Sequence, residues 1–275
     1  MSTVATTSPK AGPSFGDGTA RHWTLIVDPA RPGAENMQID LRLLLDLEAE
    51  RQPRSVLRLY RWSRPTVSVG KHQQLERAAD LEACARLGVP VVRRPTGGRA
   101  VLHAQELTYA VLSNDPALFG RQGVMATYRS LAAALQQALG TVGAECRLAR
   151  PPGKEGTSAP LGEVSQDVLS PSPARGRQTP CFTAPNRYEL LVRGRKVAGS
   201  AQRRLKRAFL QHGSIPLQVD YALMAEVLGS DPQVLRRTLV SVSEAAGRQV
   251  SFRQLAQAMA QAFREIFPGC WSRRC

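Results

Sequence analysis

Two side chains in this chain of 275 residues stand where reactive groups commonly stand. Cys181 follows a run rich in Pro, Gly and Ser, comes directly after Pro180 and precedes Phe182. A cysteine that only fills a core sits inside a periodic apolar run, as Cys84 does. Cys181 instead lies where a loop meets patterned sequence, and functional side chains concentrate in such places. The alternative is an inert, partly buried thiol. Lys196 lies between Gly194 and Gly199, and Ser200 and Ala201 follow. The small residues Gly199, Ser200 and Ala201 leave room for a ligand or a second backbone to come close. A lysine in that setting can set its ammonium against a carbonyl or phosphate oxygen. The alternative is a solvated hairpin lysine.

A third feature is the run Arg93-Arg94-Pro95-Thr96-Gly97-Gly98-Arg99-Ala100-Val101-Leu102-His103. Paired glycines let a backbone turn with φ > 0 and approach a ligand closely. Arg93, Arg94 and Arg99 add fixed positive charge beside that bare backbone. The local reading is a strand, a glycine turn and a second strand, with cations and open N–H groups facing a ligand. An ordinary β-hairpin with a Gly-Gly turn is the alternative. No Walker loop and no Rossmann glycine fingerprint accompanies the run. The four histidines are His22, His72, His103 and His212. Their spacing with Cys181 matches no standard ligand pattern, so no metal site is expected. His72, His103 and His212 are expected to hydrogen-bond backbone or to line a pocket.

The formal net charge of +15 favours acidic partners. Only five of the 37 basic residues are Lys. The arginines are spread along the chain, with no basic recognition helix, no aromatic-interleaved basic strand and no zinc finger. Nucleic-acid binding is therefore the weaker reading of the charge. No apolar run approaches the roughly 20 residues of a membrane span. Met1 to Gly18 lacks the apolar core of a signal peptide. The five cysteines are scattered and form no CxxC pair, which fits a reducing compartment and a cytoplasmic protein.

The elements that must position these residues follow from periodicity. Residues 1–20 read as a disordered tail, and 21–270 as one catalytic domain interrupted by a low-complexity insertion at about 151–179. Strands are expected at Trp23 to Val27, Ser55 to Trp62 (half-buried, with Arg at alternating positions), Leu107 to Leu112, Tyr188 to Val192 and Ala208 to Leu217. Helices are expected at Asn36 to Glu50, Asp80 to Leu87, Gln122 to Leu139, Tyr221 to Leu228, near Pro232 to Leu239, and at Phe252 to Phe267. Asp220 and Ser251 stand at N-cap positions, and Gly88 at a C-cap. Strands wrapped by helices without regular βαβ alternation indicate an α+β fold.

Five segments taken in order resemble the lipoate–biotin protein ligase superfamily, and most closely its octanoyltransferases of the LipM type. They are Trp62 to Gln73 (WSRPTVSVGKHQ), Arg93 to His103 with Glu106 to Tyr109, Cys181-Phe182 with Pro185 and Tyr188 to Leu190, Gly194 to Gln202 (GRKVAGSAQ), and Gln211-His212-Gly213. The resemblance implies a mixed or antiparallel sheet flanked by helices, similar to biotin and lipoate ligase and class II aminoacyl-tRNA synthetase catalytic domains. It implies transfer of an octanoyl group from octanoyl-acyl carrier protein to one lysine of a glycine-cleavage H protein or a lipoyl domain. Cys181 matches the position of the transferase nucleophile, and Lys196 the family lysine. Because the donor is already a thioester, no ATP and no cofactor of the enzyme's own is implied. Arg93, Arg94, Thr96, Gly97, Gly98, Arg99, His103, Gly199, Ser200 and Ala201 fall on the substrate-binding positions. Related ligases usually carry a third Gly where this chain has Arg99, which counts against the alternative of an ATP-dependent lipoate ligase.

Overall fold

The computed structural model describes residues 21–120, 123–149 and 189–274. The expected tail, the expected insertion and Cys181 lie outside the described residues. A central sheet of eight strands runs β11-β1-β2-β6-β10-β9-β8-β7. Its members are β1 (His22–Arg31), β2 (Ser55–Trp62), β6 (Glu106–Ser113), β7 (Arg147–Leu148), β8 (Leu190–Val192), β9 (Arg195–Arg204), β10 (Phe209–Pro216) and β11 (Cys270–Arg274). The pairs β11/β1 and β1/β2 are parallel, and the rest of the order is antiparallel. A second sheet has the order β4-β3-β5, made from β3 (Thr66–Val69), β4 (Val91–Arg93) and β5 (Val101–His103). This is the mixed sheet with flanking helices that the sequence implied.

Each face of the large sheet buries its own apolar cluster. On one side α1 (Gly33–Ala49) places Met37, Leu44 and Leu47 against Val56, Tyr60, Ala110 and Leu210. On the other, α5 (Gly123–Thr141) and α9 (Phe252–Ile266) supply Leu131, Leu135, Met259 and Phe263 against Leu57, Leu59 and Val111. Trp23 lies 4.8 Å from the Trp271 ring and packs on Phe263 and Phe267, so β1, β11 and α9 lock together. The small sheet packs against α6 (Tyr221–Leu228) and α7 (Pro232–Thr238) through Val67, Val69, Met224 and Leu235.

The caps read from sequence operate as expected. Asp220 accepts hydrogen bonds from the amides of Ala222 and Leu223. Ser251 forms a capping box with Gln254. Gly88, just past α3 (Leu81–Arg86), has φ +63°. The expected boundaries move at several elements: α1 begins at Gly33, α5 runs to Thr141, and β1 extends to Arg31. The short helix α8 (Val242–Ala246) and β11 were not foreseen.

Two expectations are corrected. β4 and β5 do not pair with each other as a hairpin. Both pair with β3, β4 in parallel and β5 antiparallel. The Gly97–Gly98 loop therefore crosses the end of β3 instead of making a two-strand turn. β2 is also not half-buried: Arg58 is fully buried within it. Its guanidinium reaches Asp28 and Asp40, each at 2.7 Å, and Asn36 at 2.8 Å. A buried arginine survives only with such partners, and all three come from other elements.

Candidate active site

The two sheets meet around a narrow cleft with an open mouth. Its lining comes from α1 (Met37), β2 (Tyr60, Trp62), β3 (Ser68), the glycine loop (Arg94, Gly98), β5 (Val101, His103), β6 (Thr108), β9 (Gly199, Ser200, Ala201) and β10 (His212, Gly213, Ser214). Four of these strands are adjacent in the large sheet, so the cleft runs across the sheet from β9 to β2. Three interstrand spacings make that span roughly 14 Å. Larger surface hollows, one beside the β9–β10 turn and one along α9, hold neither Lys196 nor the glycine loop.

Glycines set how closely the walls approach. A Cβ on Gly213 would sit 2.5 Å from the Tyr109 ring and 2.6 Å from the Gly199 carbonyl oxygen. A Cβ on Gly70 would sit 2.0 Å from the Gly98 carbonyl oxygen. Of the paired glycines only Gly98 has positive φ, +91°. Gly97 has open space around it.

The loop is held by arginine donors. Arg94 is buried, and its guanidinium donates to the carbonyls of Ser68 (3.0 Å), Gly97 (2.8 Å) and Arg99 (2.7 Å). Exposed Arg93 donates through Nη1 to the carbonyls of Gly70, Lys71 and Gln73. Arg94 therefore turns its charge inward onto backbone carbonyls instead of toward a ligand, while Arg93 stays at the surface. The Lys71 amide also supports the loop, donating to the Thr96 carbonyl at 2.8 Å.

Two acid–imidazole–hydroxyl chains flank the loop. In the first, His212 Nδ1 lies 3.0 Å from Asp40 Oδ2, and His212 Nε2 lies 2.6 Å from Thr96 Oγ1. Asp40 also accepts from Tyr60 at 2.9 Å and pairs with Arg58. Burial pushes the Asp40 carboxyl up, but the hydrogen bond from His212 and the Arg58 charge outweigh it and hold it below its ordinary value. Burial pushes His212 down, only partly offset by Asp40. Asp40 is thus ionised and His212 neutral at pH 7, with Nδ1–H donating to Asp40 and Nε2 accepting the Thr96 hydroxyl proton. Burial, with the Asp40 charge beside it, raises Tyr60 well above its usual range, so it stays a neutral donor.

In the second chain, His103 Nε2 lies 2.8 Å from Ser68 Oγ, and His103 Nδ1 lies 2.8 Å from Glu106. Arg94 donates to Ser68 Oγ at 3.1 Å, which leaves the Ser68 hydrogen to point at His103. Glu106 also accepts from Ser214 at 2.5 Å and from Thr108. Trp62 lies flat on His103, with ring centroids 4.0 Å apart, and donates to Thr108 Oγ1. His103 and His212 thus bond to side chains, not to backbone, and both line the cleft. His72 is exposed.

Lys196 is not a solvated hairpin lysine; it is 4% exposed. Its ammonium lies 2.5 Å from the buried Glu189 carboxylate. The β8–β9 turn that brings the two together has Arg193 at φ +49° and Gly194 at φ +82°, the paired positive φ of a tight two-residue hairpin. Three residues beyond Lys196, β9 becomes the cleft wall at Gly199.

Of the residues singled out from sequence, Arg94, Gly98, His103, Gly199, Ser200 and Ala201 line the cleft. Thr96 stands behind it on His212, and Arg93, Gly97 and Arg99 belong to the loop outside the lining. Asp40, Met37, Tyr60 and Ser214 were not anticipated as site residues. Trp62, Ser68, Thr108, Glu189 and Gly213 lay inside the motif segments but were given no role, and His212, expected to bond backbone or line a pocket, lines the cleft. Among the described residues no group of three His, Cys, Asp or Glu is arranged to hold a metal ion. No helix among them is long and apolar enough to cross a membrane.

The profile of the lipoyl protein ligase A/B catalytic domain matches residues 32–264. A protein of Geobacillus kaustophilus named octanoyltransferase LipM is 35% identical, over 88% of this chain and 84% of its own length. Another of that name, from Kyrpidia tusciae, is 37% identical over 88% and 86%. Among solved structures, a bipartite lipoate protein ligase of Thermoplasma acidophilum superposes with a TM-score of 0.65 at 19% identity, over 93% of this chain and 88% of that one. A lipoate-protein ligase A bound with ATP gives 0.64 at 20%, over 94% and 90%. The chain therefore belongs to the lipoyl protein ligase A/B catalytic-domain family, on its octanoyltransferase LipM branch.

Proposed function

We propose that this protein moves an octanoyl group from octanoyl-acyl carrier protein to a lysine of a lipoate-dependent protein, a glycine-cleavage H protein or a lipoyl domain. The observation that carries the reading is the buried Lys196 on the strand that continues as the glycine wall of the cleft. The relatives' names supply the acyl group. The slot between the Gly199 wall and Met37, Tyr60 and Trp62 suits an alkyl chain, at about 0.8 kcal/mol per buried CH₂.

The chemistry is a two-step transfer. The Cys181 thiolate attacks the carrier thioester, and the phosphopantetheine thiol leaves. The acceptor amine then attacks acyl-Cys181 and releases the thiol. Thioester exchange is nearly isoenergetic, so the reaction needs no ATP and no cofactor beyond the arm of the carrier. Lys196 faces the acyl carbonyl and favours the thiolate by its charge. Exposed Lys71 and Arg93 at the loop, with the overall positive charge, steer acidic carriers. The scattered cysteines, none in a CxxC pair, support a reducing compartment such as the cytoplasm.

The test is incubation with octanoyl-carrier protein and acceptor in the absence of ATP, with acyl chains of several lengths. Octanoyl transfer is expected, with one octanoyl unit on the Cys181 peptide. Strict dependence on ATP would assign the protein instead to the lipoate ligases, whose fold it shares. Full activity in Cys181→Ser would remove the nucleophile.

A further inference from the structure

The glutamate beside Lys196, Glu189, has no part in the two-step transfer. Glu189 immediately precedes β8, and Lys196 lies seven residues on, across the hairpin. Both backbones are pinned. The Glu189 carbonyl accepts from the Ala149 amide at 2.7 Å, and the Lys196 carbonyl from the Val240 amide at 3.0 Å. Both side chains are at least nine-tenths buried, and their charged atoms are 2.5 Å apart. A buried ion pair contributes little stability compared with an apolar pair of the same volume. Its place at the head of the cleft wall calls for a chemical reason.

Resting on the acyl-transfer reading, we infer that Glu189 receives, through Lys196, the proton that the acceptor lysine must lose. An acceptor lysine arrives as an ammonium, with an ordinary pKa near 10.4. It must be neutral to attack a thioester. Lys196 as an ammonium has no room for another proton; the carboxylate touching it has. Lys196 passes a proton to Glu189 and takes one from the incoming ammonium. The freed amine attacks the acyl carbon, the C–N bond forms, and the C–S bond to Cys181 breaks. The second amine proton goes to the departing Cys181 sulfur. Glu189 then returns its proton to solvent as the product leaves. One proton ends on Cys181 and one in solvent, which balances the conversion of ammonium and thioester to amide and thiol.

Among the described residues, the charged groups on the elements packed around this hairpin are Arg147 on β7, Arg193 and Arg195 on the hairpin itself, Arg236 and Arg237 on α7, and Glu244 on α8. Arg195 is tied to Glu244 at 2.7 Å, and Arg147, Arg193, Arg236 and Arg237 are exposed. Among the described residues, Glu189 is thus the buried carboxylate paired with Lys196. It acts through Lys196 and is a positioning and proton-accepting residue.

The experiment separates the two half-reactions in the full-length protein. Acyl-Cys181 formation from an octanoyl thioester is followed by intact mass, and transfer from the isolated acyl-enzyme to the acceptor is followed across pH. In Glu189→Gln, acylation is expected to stay within about threefold, while transfer at pH 7 falls by on the order of 10²-fold. Transfer should recover as pH rises toward the pKa of the free acceptor amine. Glu189→Asp keeps the carboxylate and should restore part of the rate, which a fold defect in the Gln variant could not mimic. The inference is overturned if Glu189→Gln transfers at the normal rate with an unchanged pH profile. It is equally overturned if both half-reactions fall together in both variants. Failure of the unaltered protein to form acyl-Cys181 would instead remove the transfer reading, and this inference with it.

Discussion

Gly70 offers the sharpest test of how rigidly the cleft wall is held. Its backbone lies against the carbonyl of Gly98, where a Cβ would meet the oxygen at 2.0 Å and the Gly98 and Gly97 carbons at 3.1 and 3.2 Å. Real Cβ contacts stay beyond 3.0 Å, so Gly70→Ala must drive the loop outward by about 1 Å. All three contacted atoms are backbone, and no flexible side chain can yield. The loop resists because Thr96 is tied to His212 and to the Lys71 amide, and Arg94 bridges Ser68 to Gly97 and Arg99. Overpacking of this kind costs about 1–3 kcal/mol. A wall misplaced by about 1 Å costs on the order of 10²-fold in rate. Gly97→Ala is the control: nothing lies within 4 Å of its Cβ position, and its φ is not positive. That variant should unfold within about 0.5 kcal/mol of the unaltered protein. Urea unfolding and the ATP-free transfer assay read both quantities. If Gly70→Ala unfolds within about 0.5 kcal/mol of the unaltered protein and transfers octanoyl within about threefold, the loop is not the braced wall described here.

Asp40→Ala leaves the fully buried Arg58 and His212 short of a partner and should cost about 3–5 kcal/mol in urea unfolding, although Asp28 still holds Arg58. Stability should also depend on pH through His212. Its folded pKa lies below the ordinary 6.5 because burial disfavours the imidazolium. Below pH 6.5 the unfolded chain therefore binds a proton that the folded chain does not, so this stability is present above 6.5 and declines as pH falls toward the folded value. His212→Gln should flatten that slope in unfolding measured from pH 8 to 5. Asp40 acts lower: its contribution is present above its ordinary 3.8 and is lost as pH falls through the depressed folded value. Alkylation of the native protein at pH 8 should spare Cys84 and Cys146, whose thiols burial raises, Cys146 to about 12, and should modify exposed Cys270. Peptide mass mapping decides this, and labelled Cys146 in folded protein would refute it.

What could be read from sequence is what local chemistry determines. Asp220 and Ser251 cap the helices that follow them because a side-chain oxygen two or three residues upstream is all a free amide needs. Lys196 was visible because small residues surround it. Its burial was not, because the carboxylate that permits it sits across a hairpin from it. Distance along the chain decides the rest. His212 reaches Thr96 and Asp40 across 116 and 172 residues, and Arg58 reaches Asp40 across 18. Periodicity contains no trace of such partners, so β2 read as a strand with a wet face. The glycine run misled in the same way. Val91–Arg93 and Val101–His103 have strand patterns on either side of a Gly-Gly pair, and nothing local says that β3 lies between them.

That insertion of β3 has a functional consequence. A two-strand hairpin would leave the Gly97–Gly98 turn to set its own shape, and paired glycines set almost none. With β3 between the flanking strands, the loop must span an extra strand, and its shape is fixed from outside. β3 supplies the Ser68 carbonyl to Arg94, and Gly70 the surface under Gly98. β10 supplies His212 to Thr96, and Arg94 ties Gly97 and Arg99 into one unit. The arginines beside the glycines then do something other than attract an anion. Arg94 gives donors to the Gly97 and Arg99 carbonyls of the irregular loop and anchors them to Ser68 on β3, the partnering that a buried loop requires. A glycine-rich wall can therefore be both bare and stiff, because its rigidity lies in the residues around it.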